Sequence, residues 1–493
     1  MKRTKVLVLS AAINSLLGVN SLQPVEAATE LDKDAKINAL ERRILLLEKR
    51  LSASESNPAP VDETLHHLDQ QVKILQRQGE IDREDTAEAA KKSPTYDVSR
   101  NGFKFESADK DFSLQLRGLI QADSRFFQDD KSDATPVTDD TFELRRARLL
   151  LLGKLYKNFD YFFQTEFGGG NAQLLDAMIS YRLMPELAIR GGRFLVPFGL
   201  EHFNGAPFLT FVERSLVENL VPDRDNGIQF YGDISSGLVE YEVGVGNGVK
   251  DCCGDAANLD PSDDKEFFGR VFLAPFNRTE VEGLRDLRIG IAATSGDQSG
   301  SLASQKFRSA GRQVFFNYDG TVVANGDRYR IAPQLYYSWD SFGLLGEYVL
   351  TSQEVKNGAG QAARIDNSAW QIAASYVLTG ELHNYLSNYP TWQNGVSVKP
   401  YNDFNPFKGK WGAFEVAARY NELNVEDVVF AGFASLDNSA RKASSWEVGL
   451  NWYLNKHIKA QVDYSQTSFD GGTILRGDRD TESLVQSRLQ LFF

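Results

Sequence analysis

From residue 112 onward, apolar and polar side chains alternate. Phe112, Leu114, Leu116, Gly118, Ile120 and Ala122 share one phase; Ser113, Gln115, Arg117, Gln121, Asp123 and Arg125 share the other, with Leu119 the exception. Trp370, Ile372, Ala374, Tyr376 and Leu378 repeat the pattern, as do Trp446, Val448, Leu450, Trp452 and Leu454. So do Val485, Leu489, Leu491 and Phe493. Period 2 marks a strand with two unlike faces. Segments of about ten residues suit a tilted strand crossing the apolar band of a bilayer. Sixteen such segments are predicted: 112–126, 142–155, 159–167, 174–183, 187–194, 226–233, 237–246, 265–274, 285–294, 328–339, 342–351, 368–379, 411–421, 444–454, 458–468 and 483–493. The count is even, and short connections alternate with long ones. This predicts an all-β fold, a 16-stranded antiparallel transmembrane β-barrel over 100–493. Its apolar face points outward, its turns are periplasmic and its long loops external. Residues 380–410 break the rule: a short turn is due there, yet the segment is long and rich in Asn, Tyr and Pro.

The first hundred residues follow other periods. Lys2, Arg3 and Lys5 precede an apolar run from Val6 to Val19 and a small-residue site at Val25-Glu26-Ala27. That order predicts a signal peptide over 1–27. Ile37, Leu40, Ile44, Leu47 and Leu51 are then spaced 3, 4, 3, 4, and Leu65, Leu68, Val72 and Leu75 repeat the spacing after Pro58 and Pro60. These are two short a/d seams, predicting a short α-helical coiled coil in the periplasm over 28–78. The charged, alanine-rich stretch that follows is expected to be a linker, 79–99.

Composition narrows the function. The 493 residues are 42% hydrophobic and 25% charged, with mean hydropathy −0.35, too polar for a helical membrane protein. The formal charge of −13 argues against nucleic acid as a partner. Most of that charge lies away from the predicted lumen. Residues 95–493 carry 40 basic and 52 acidic side chains, net −12, and loops 127–141 and 247–264 each hold five Asp against one Lys, together −8. By phase, the inward basic residues are Arg125, Lys154, Lys459 and Arg488 together with the pore-lining set Arg117, Arg146, Arg148, Arg182, Arg190, Arg270, Arg288, Arg330 and Arg419. Arginine suits such a lining, because its planar fork binds carboxylate or phosphate oxygens and stays charged. For any single arginine, cross-strand pairing with a lumen acid is the simpler role. His202, His383 and His457 fall in loops or turns, so no nucleophile and base are placed for an enzyme. Cys252 and Cys253 are adjacent, which suits a vicinal disulfide or a cross-link better than zinc. No catalytic, metal or cofactor site is expected.

Several stretches resemble the phosphate-selective porins O and P: Leu144-Arg145-Arg146-Ala147-Arg148, Gly191 to Glu201, Phe211-Val212-Glu213-Arg214-Ser215, Leu378-Thr379-Gly380-Glu381 and Gly412 to Tyr420. The resemblance implies a homotrimeric barrel in the bacterial outer membrane, with lipid around it and a periplasmic coiled coil. It implies passive diffusion of small anionic or polar solutes, inorganic anions such as phosphate being expected. It also implies that the third external loop, here 195–225, folds inward as a constriction. The charged residues of that loop are Glu201, Glu213, Arg214, Glu218, Asp223, Arg224 and Asp225, net negative. Facing a basic wall, they predict a crosswise field and mild anion preference. Leu195 and Val196 stand where the family often carries a Lys, which predicts weak phosphate binding. The alternative is a general, weakly selective porin whose coiled coil also tethers the outer membrane to the cell wall.

Overall fold

The computed structural model describes residues 39, 41–46, 49, 59–99, 102–128, 140–251, 263–386, 395–473 and 477–493. The expected signal peptide, the first seam apart from Ile44, the tip of the first external loop, Cys252 and Cys253 lie outside them. The chain divides into two units, Met1–Ser93 and Pro94–Phe493.

In the first unit, residues 41–46 are helical, and a long helix, α1, spans Ala59–Lys92. Pro60 sits in its first turn, where a missing N–H breaks no helical bond. Thus Pro60 opens the helix. Leu68 and Val72 are half-buried, while Ile74, Leu75 and Ile81 are exposed. The segment expected as a linker is different in the structure. Residues 80–92 continue α1, because Glu, Arg, Lys and Ala are strong helix formers. The strand Thr95–Ser99 then pairs with Gly102–Glu106, which pairs with the first barrel strand, Phe103 opposite Leu116. The sheet therefore begins ahead of residue 100.

The second unit is a closed antiparallel barrel of sixteen strands, one for each predicted segment. They are β1 Phe112–Phe127, β2 Thr141–Leu155, β3 Phe159–Glu166, β4 Gln173–Met184, β5 Leu187–Leu195, β6 Arg224–Ile234, β7 Val239–Gly246 and β8 Glu266–Leu273. There follow β9 Arg288–Ser301, β10 Val323–Trp339, β11 Phe342–Lys356, β12 Ala362–Val377, β13 Ala413–Asn424, β14 Ala440–Tyr453, β15 Ile458–Thr473 and β16 Glu482–Phe492. Each pairs with the next, and β16 closes on β1, Leu489 opposite Ala122. Tight hairpins join strands at one end; Tyr156 and Lys157, and Ser235 and Ser236, take the positive φ that such turns require. Several strands run past their predicted ends toward the long loops. β11 continues to Lys356 and β15 to Thr473, through mostly polar stretches, broken only by Val355 and Phe469, where alternation gives no clear signal.

Outer-face residues such as Ile120, Val448 and Leu489 are exposed, as a lipid-facing or subunit-facing band must be. Aromatic pairs including Phe126–Phe142, Phe159–Tyr181 and Phe414–Trp452 lie on that face. Inner-face Gln121, Arg330 and Asn451 are buried because the lumen is not empty. Among the described residues, three connections enter it. Val196–Asp223, between β5 and β6, is the one expected. Residues 302–322, between β9 and β10, also fold in and bury Phe307, Phe315, Phe316 and Tyr318 in one cluster. The described parts of the connection between β12 and β13, residues 378–386 and 395–412, enter from the opposite, short-turn end.

Candidate pore constriction

The connection Val196–Asp223 is built as a small apolar body with a polar skin. Phe198, Leu200, Phe203, Phe211, Val212 and Leu220 are buried. Its one α-turn, α2, is Leu200–Phe203, and two 3-10 turns follow at Ala206–Phe208 and Leu216–Leu220. Little of its backbone is satisfied internally, so the barrel wall supplies the partners. Glu347 on β11 accepts the Leu200 amide at 2.7 Å and the Glu201 amide at 3.3 Å. Asn421 on β13 accepts from the Leu216 amide at 2.9 Å, and Asp463 on β15 from the Val212 amide. In the other sense, Gln121 donates to the Ala206 carbonyl, Gln490 to Pro207, Lys459 to Leu209 and Asn451 to Thr210. Leaving β5, the loop thus reaches the wall formed by β10 to β16 and β1. Buried backbone groups need such partners, so the loop is fixed along its length.

The charged residues follow the same logic. Glu213 accepts a bidentate pair from Arg145, at 2.6 and 3.2 Å. Glu201 accepts from Arg419 at 2.6 Å, Gln371 at 2.9 Å and the Ser215 amide at 2.9 Å. Arg419 also binds Glu447 at 2.7 Å and stacks over Phe211. Asp223 accepts from Arg224 at 3.0 Å, and Arg224 reaches Asp176 on β4 at 3.1 Å. Arg214 caps the carbonyls of Glu201, His202 and Asn204 and lies 3.5 Å from Glu218. The picture of an acidic loop facing a basic wall across a water gap is therefore corrected. Wall and loop charges meet as contact pairs, Arg145 with Glu213 and Arg419 with Glu201.

His202 departs from a solvated loop histidine. It is buried, with Nδ1 2.7 Å from Glu218 and Nε2 3.6 Å from Asp223. Burial alone would disfavour the charged ring, but Glu218 and Asp223 override it and lift His202 to about 9. Burial would likewise raise Glu213; Arg145, with Arg146 and Arg488, holds it well below the usual carboxylate range.

The predicted basic residues do not share one role. Arg148 pairs with Glu166 at 2.7 Å, Arg288 with Glu240 at 3.1 Å, and Arg330 with Asp251 and Glu266. Arg270 donates to Gln334 at 3.0 Å, lies 3.7 Å from Glu242 and stacks on Phe203 and Phe272. Arg190 is buried against Tyr231. Arg117 lies over Phe492 near the short-turn end, and Arg182 is exposed at that rim. Arg146 donates to Gln121 Oε1 at 2.7 Å and meets no carboxylate within ion-pairing distance among the described residues.

Arg145 escapes prediction from phase. A β-bulge opposite Gln121 and Ala122 shifts the register by one residue. Phe142 and Leu144 accordingly face outward, at 80% and 49% exposure, while Arg145, Arg146 and Arg148 all reach the interior. A small cavity remains between α2 and the wall, lined by Arg148, Arg214, Arg224, His202, Asp176 and Phe492 among others.

Comparison with known proteins agrees with this architecture. The family model for the phosphate-selective porins O and P matches residues 114–493. Porin O of Pseudomonas aeruginosa is 27% identical over 421 residues, covering 80% of this chain and 92% of that protein. An uncharacterized protein of Caulobacter vibrioides is 23% identical, covering 81% and 78% respectively. Among solved structures, the anion-selective porin from Comamonas acidovorans is 15% identical, covering 78% of this chain and 100% of that one, with a TM-score of 0.45. The chain belongs to the phosphate-selective porin O and P family and is an outer-membrane porin.

Proposed function

We propose, taking family membership as the premise, that the protein is a homotrimeric channel for passive diffusion of small hydrophilic solutes with a mild preference for inorganic anions, phosphate among them. Arg146 carries the reading. It is buried beside Arg145, Arg148 and Arg488, and those three pair with Glu213, Glu166 and Asp123, whereas among the described residues Arg146 donates to the neutral Gln121 and feels Glu213 only beyond ion-pairing distance. A guanidinium without a contact counter-charge in a narrow lumen favours a passing anion. The preference is mild because the neighbouring charges cancel in pairs. Leu195 and Val196, apolar where relatives often carry a Lys, support weak rather than tight phosphate binding.

The test is a planar-bilayer measurement in a potassium chloride gradient. The expected reversal potential lies on the anion side, and added phosphate reduces chloride current only weakly. A cation-selective pore overturns the reading; strong block at micromolar phosphate replaces it with a dedicated phosphate site. The exposed Ile74, Leu75 and Ile81 on α1 favour a second role, an N-terminal coiled coil that associates between subunits and tethers the outer membrane to the cell wall. Co-sedimentation with peptidoglycan tests that role.

A further inference from the structure

We propose that the turn Asn405–Lys410, at the short-turn rim of the barrel, is a lipid anchor: Lys408 and Lys410 take an anionic phospholipid headgroup while Phe407 enters the leaflet beside it. The proposal goes beyond the choice of solute and uses no residue of the lumen. The turn is built from its own backbone. The Asn405 and Lys410 main chains exchange two hydrogen bonds, of 2.8 and 3.0 Å, around one 3-10 turn, Pro406–Lys408. Gly409 closes it with φ +66, a left-handed conformation that glycine adopts without strain. The base of the turn is fastened to the outer face of the wall. The Phe404 amide donates to the Leu454 carbonyl, and Trp452 Nε1 on β14 donates to the Trp411 carbonyl, both at 2.6 Å. The Phe404 ring meets Trp452 edge-on at 5.1 Å and Trp411 at 5.7 Å, and Trp452 stacks on Phe414 of β13.

This scaffold holds one apolar side chain clear of the protein. Phe407 is 99% exposed, and Lys408, Lys410 and Trp411 are exposed around it. Neither lysine has a carboxylate within ion-pairing distance among the described residues. A preformed turn gains nothing by presenting a bare phenyl ring to water. At the boundary of a bilayer the same ring is buried, and the lysines lay their stems along it with their ammonium groups among the headgroups. Two observations favour lipid as the occupant. The platform is continuous with the outer band of the barrel, since Phe414 pairs with Trp452, and Val416 with Leu450 next along the same face, the latter two exposed. The charge is complementary, since two ammonium groups without a local counter-charge match the phosphodiester of an anionic lipid.

Phe407→Trp puts a fluorescent reporter at the tip, and the full-length variant is reconstituted in vesicles of phosphatidylcholine and phosphatidylglycerol. Bromine is carried high on the acyl chain of one lipid or the other. The three side chains at issue are exposed, so the substitutions leave the barrel packing intact, and only heat-stable barrels are read. The emission that the variant adds over wild type is expected to be blue-shifted. It is expected to be quenched about twofold more strongly by brominated phosphatidylglycerol than by brominated phosphatidylcholine. Adding Lys408→Gln and Lys410→Gln is expected to abolish that preference while quenching itself remains; a preference that survives overturns the proposal. Inorganic phosphate at constant ionic strength is expected to change nothing. If it removes the preference, the lysines hold free phosphate and the lipid assignment falls. Red-shifted emission puts the tip in water, and blue-shifted emission that neither lipid quenches puts it against another subunit; either overturns the proposal, as does equal quenching by both lipids before the lysines are changed.

Discussion

Arg145 grips Glu213 with two hydrogen bonds, of 2.6 and 3.2 Å, and the bulge that turns Arg145 inward makes the grip possible. Replacing Arg145 with Met strips a buried carboxylate of both these hydrogen bonds and leaves it only Arg488 at 4.0 Å. The expected loss is roughly 2–3 kcal/mol of local stability. It should register as a lower thermal midpoint and noisier single-channel current, with Glu213→Gln partly restoring both. The pH dependence has a definite sign. A carboxyl held below its ordinary value stabilises the fold above that value, and the contribution is lost as pH falls through the folded value. The current should therefore stay quiet from pH 7 to pH 5 and become noisy only below about pH 4.

His202 gives the opposite dependence. Its value is raised from 6.5 to about 9, so its contribution is complete below 6.5 and lost as pH rises through about 9. The shift corresponds to on the order of 3 kcal/mol. Conductance recorded from pH 6 to pH 10 should change near pH 9 in the wild type. In His202→Gln that transition should be absent.

Arg146 and Arg148 lie two residues apart and should behave differently. Arg148 is already neutralised by Glu166, whereas Arg146 has no carboxylate partner among the described residues. Arg146→Ala should move the reversal potential toward cations, and Arg148→Ala should move it less. The Arg146 effect should shrink in 1 M salt, where the screening length is ~3 Å. Equal shifts for the two variants would remove Arg146 from its special role.

Deleting residues 203–218 should raise conductance, since a lumen of sixteen strands is otherwise wide. Unchanged current through a correctly folded barrel would take this loop out of the constriction. Residues 302–322, which also fold in, should leave the deletion variant narrower than an unobstructed sixteen-stranded pore.

If the proposed homotrimer is held by its barrels, removing residues 29–92 should leave trimers on a native gel. Monomers after that truncation would show that the helices drive assembly.

Strand positions were legible because a barrel wall between lipid and a polar lumen imposes period 2. Phe112 to Arg125 and Trp446 to Leu454 display it plainly. The inward side chains were readable only while that period held. The bulge beside Gln121 reverses the phase over Phe142 to Arg145, so Arg145 and Glu143 were missed. Pairing could not be read at all: Arg419 meets Glu201 and Glu447 through a fold that brings distant segments together. The inward course of 302–322 carried no periodic signal. Residues 378–412 announced themselves only by excess length. Tyr336 and Tyr453, aromatics in the polar phase, were the remaining trace of what packs there.

The inward loop borrows much of its hydrogen bonding from wall residues, among them Gln121, Glu347, Asn421, Asn451, Lys459, Asp463 and Gln490. A segment held this way has no conformation that travels with it. Grafted by itself onto a relative's barrel, it would arrive among strangers and lose its shape. In descent, loop and wall must therefore change together, and a new solute preference can be inherited only as a joint alteration of residues scattered along most of the barrel sequence.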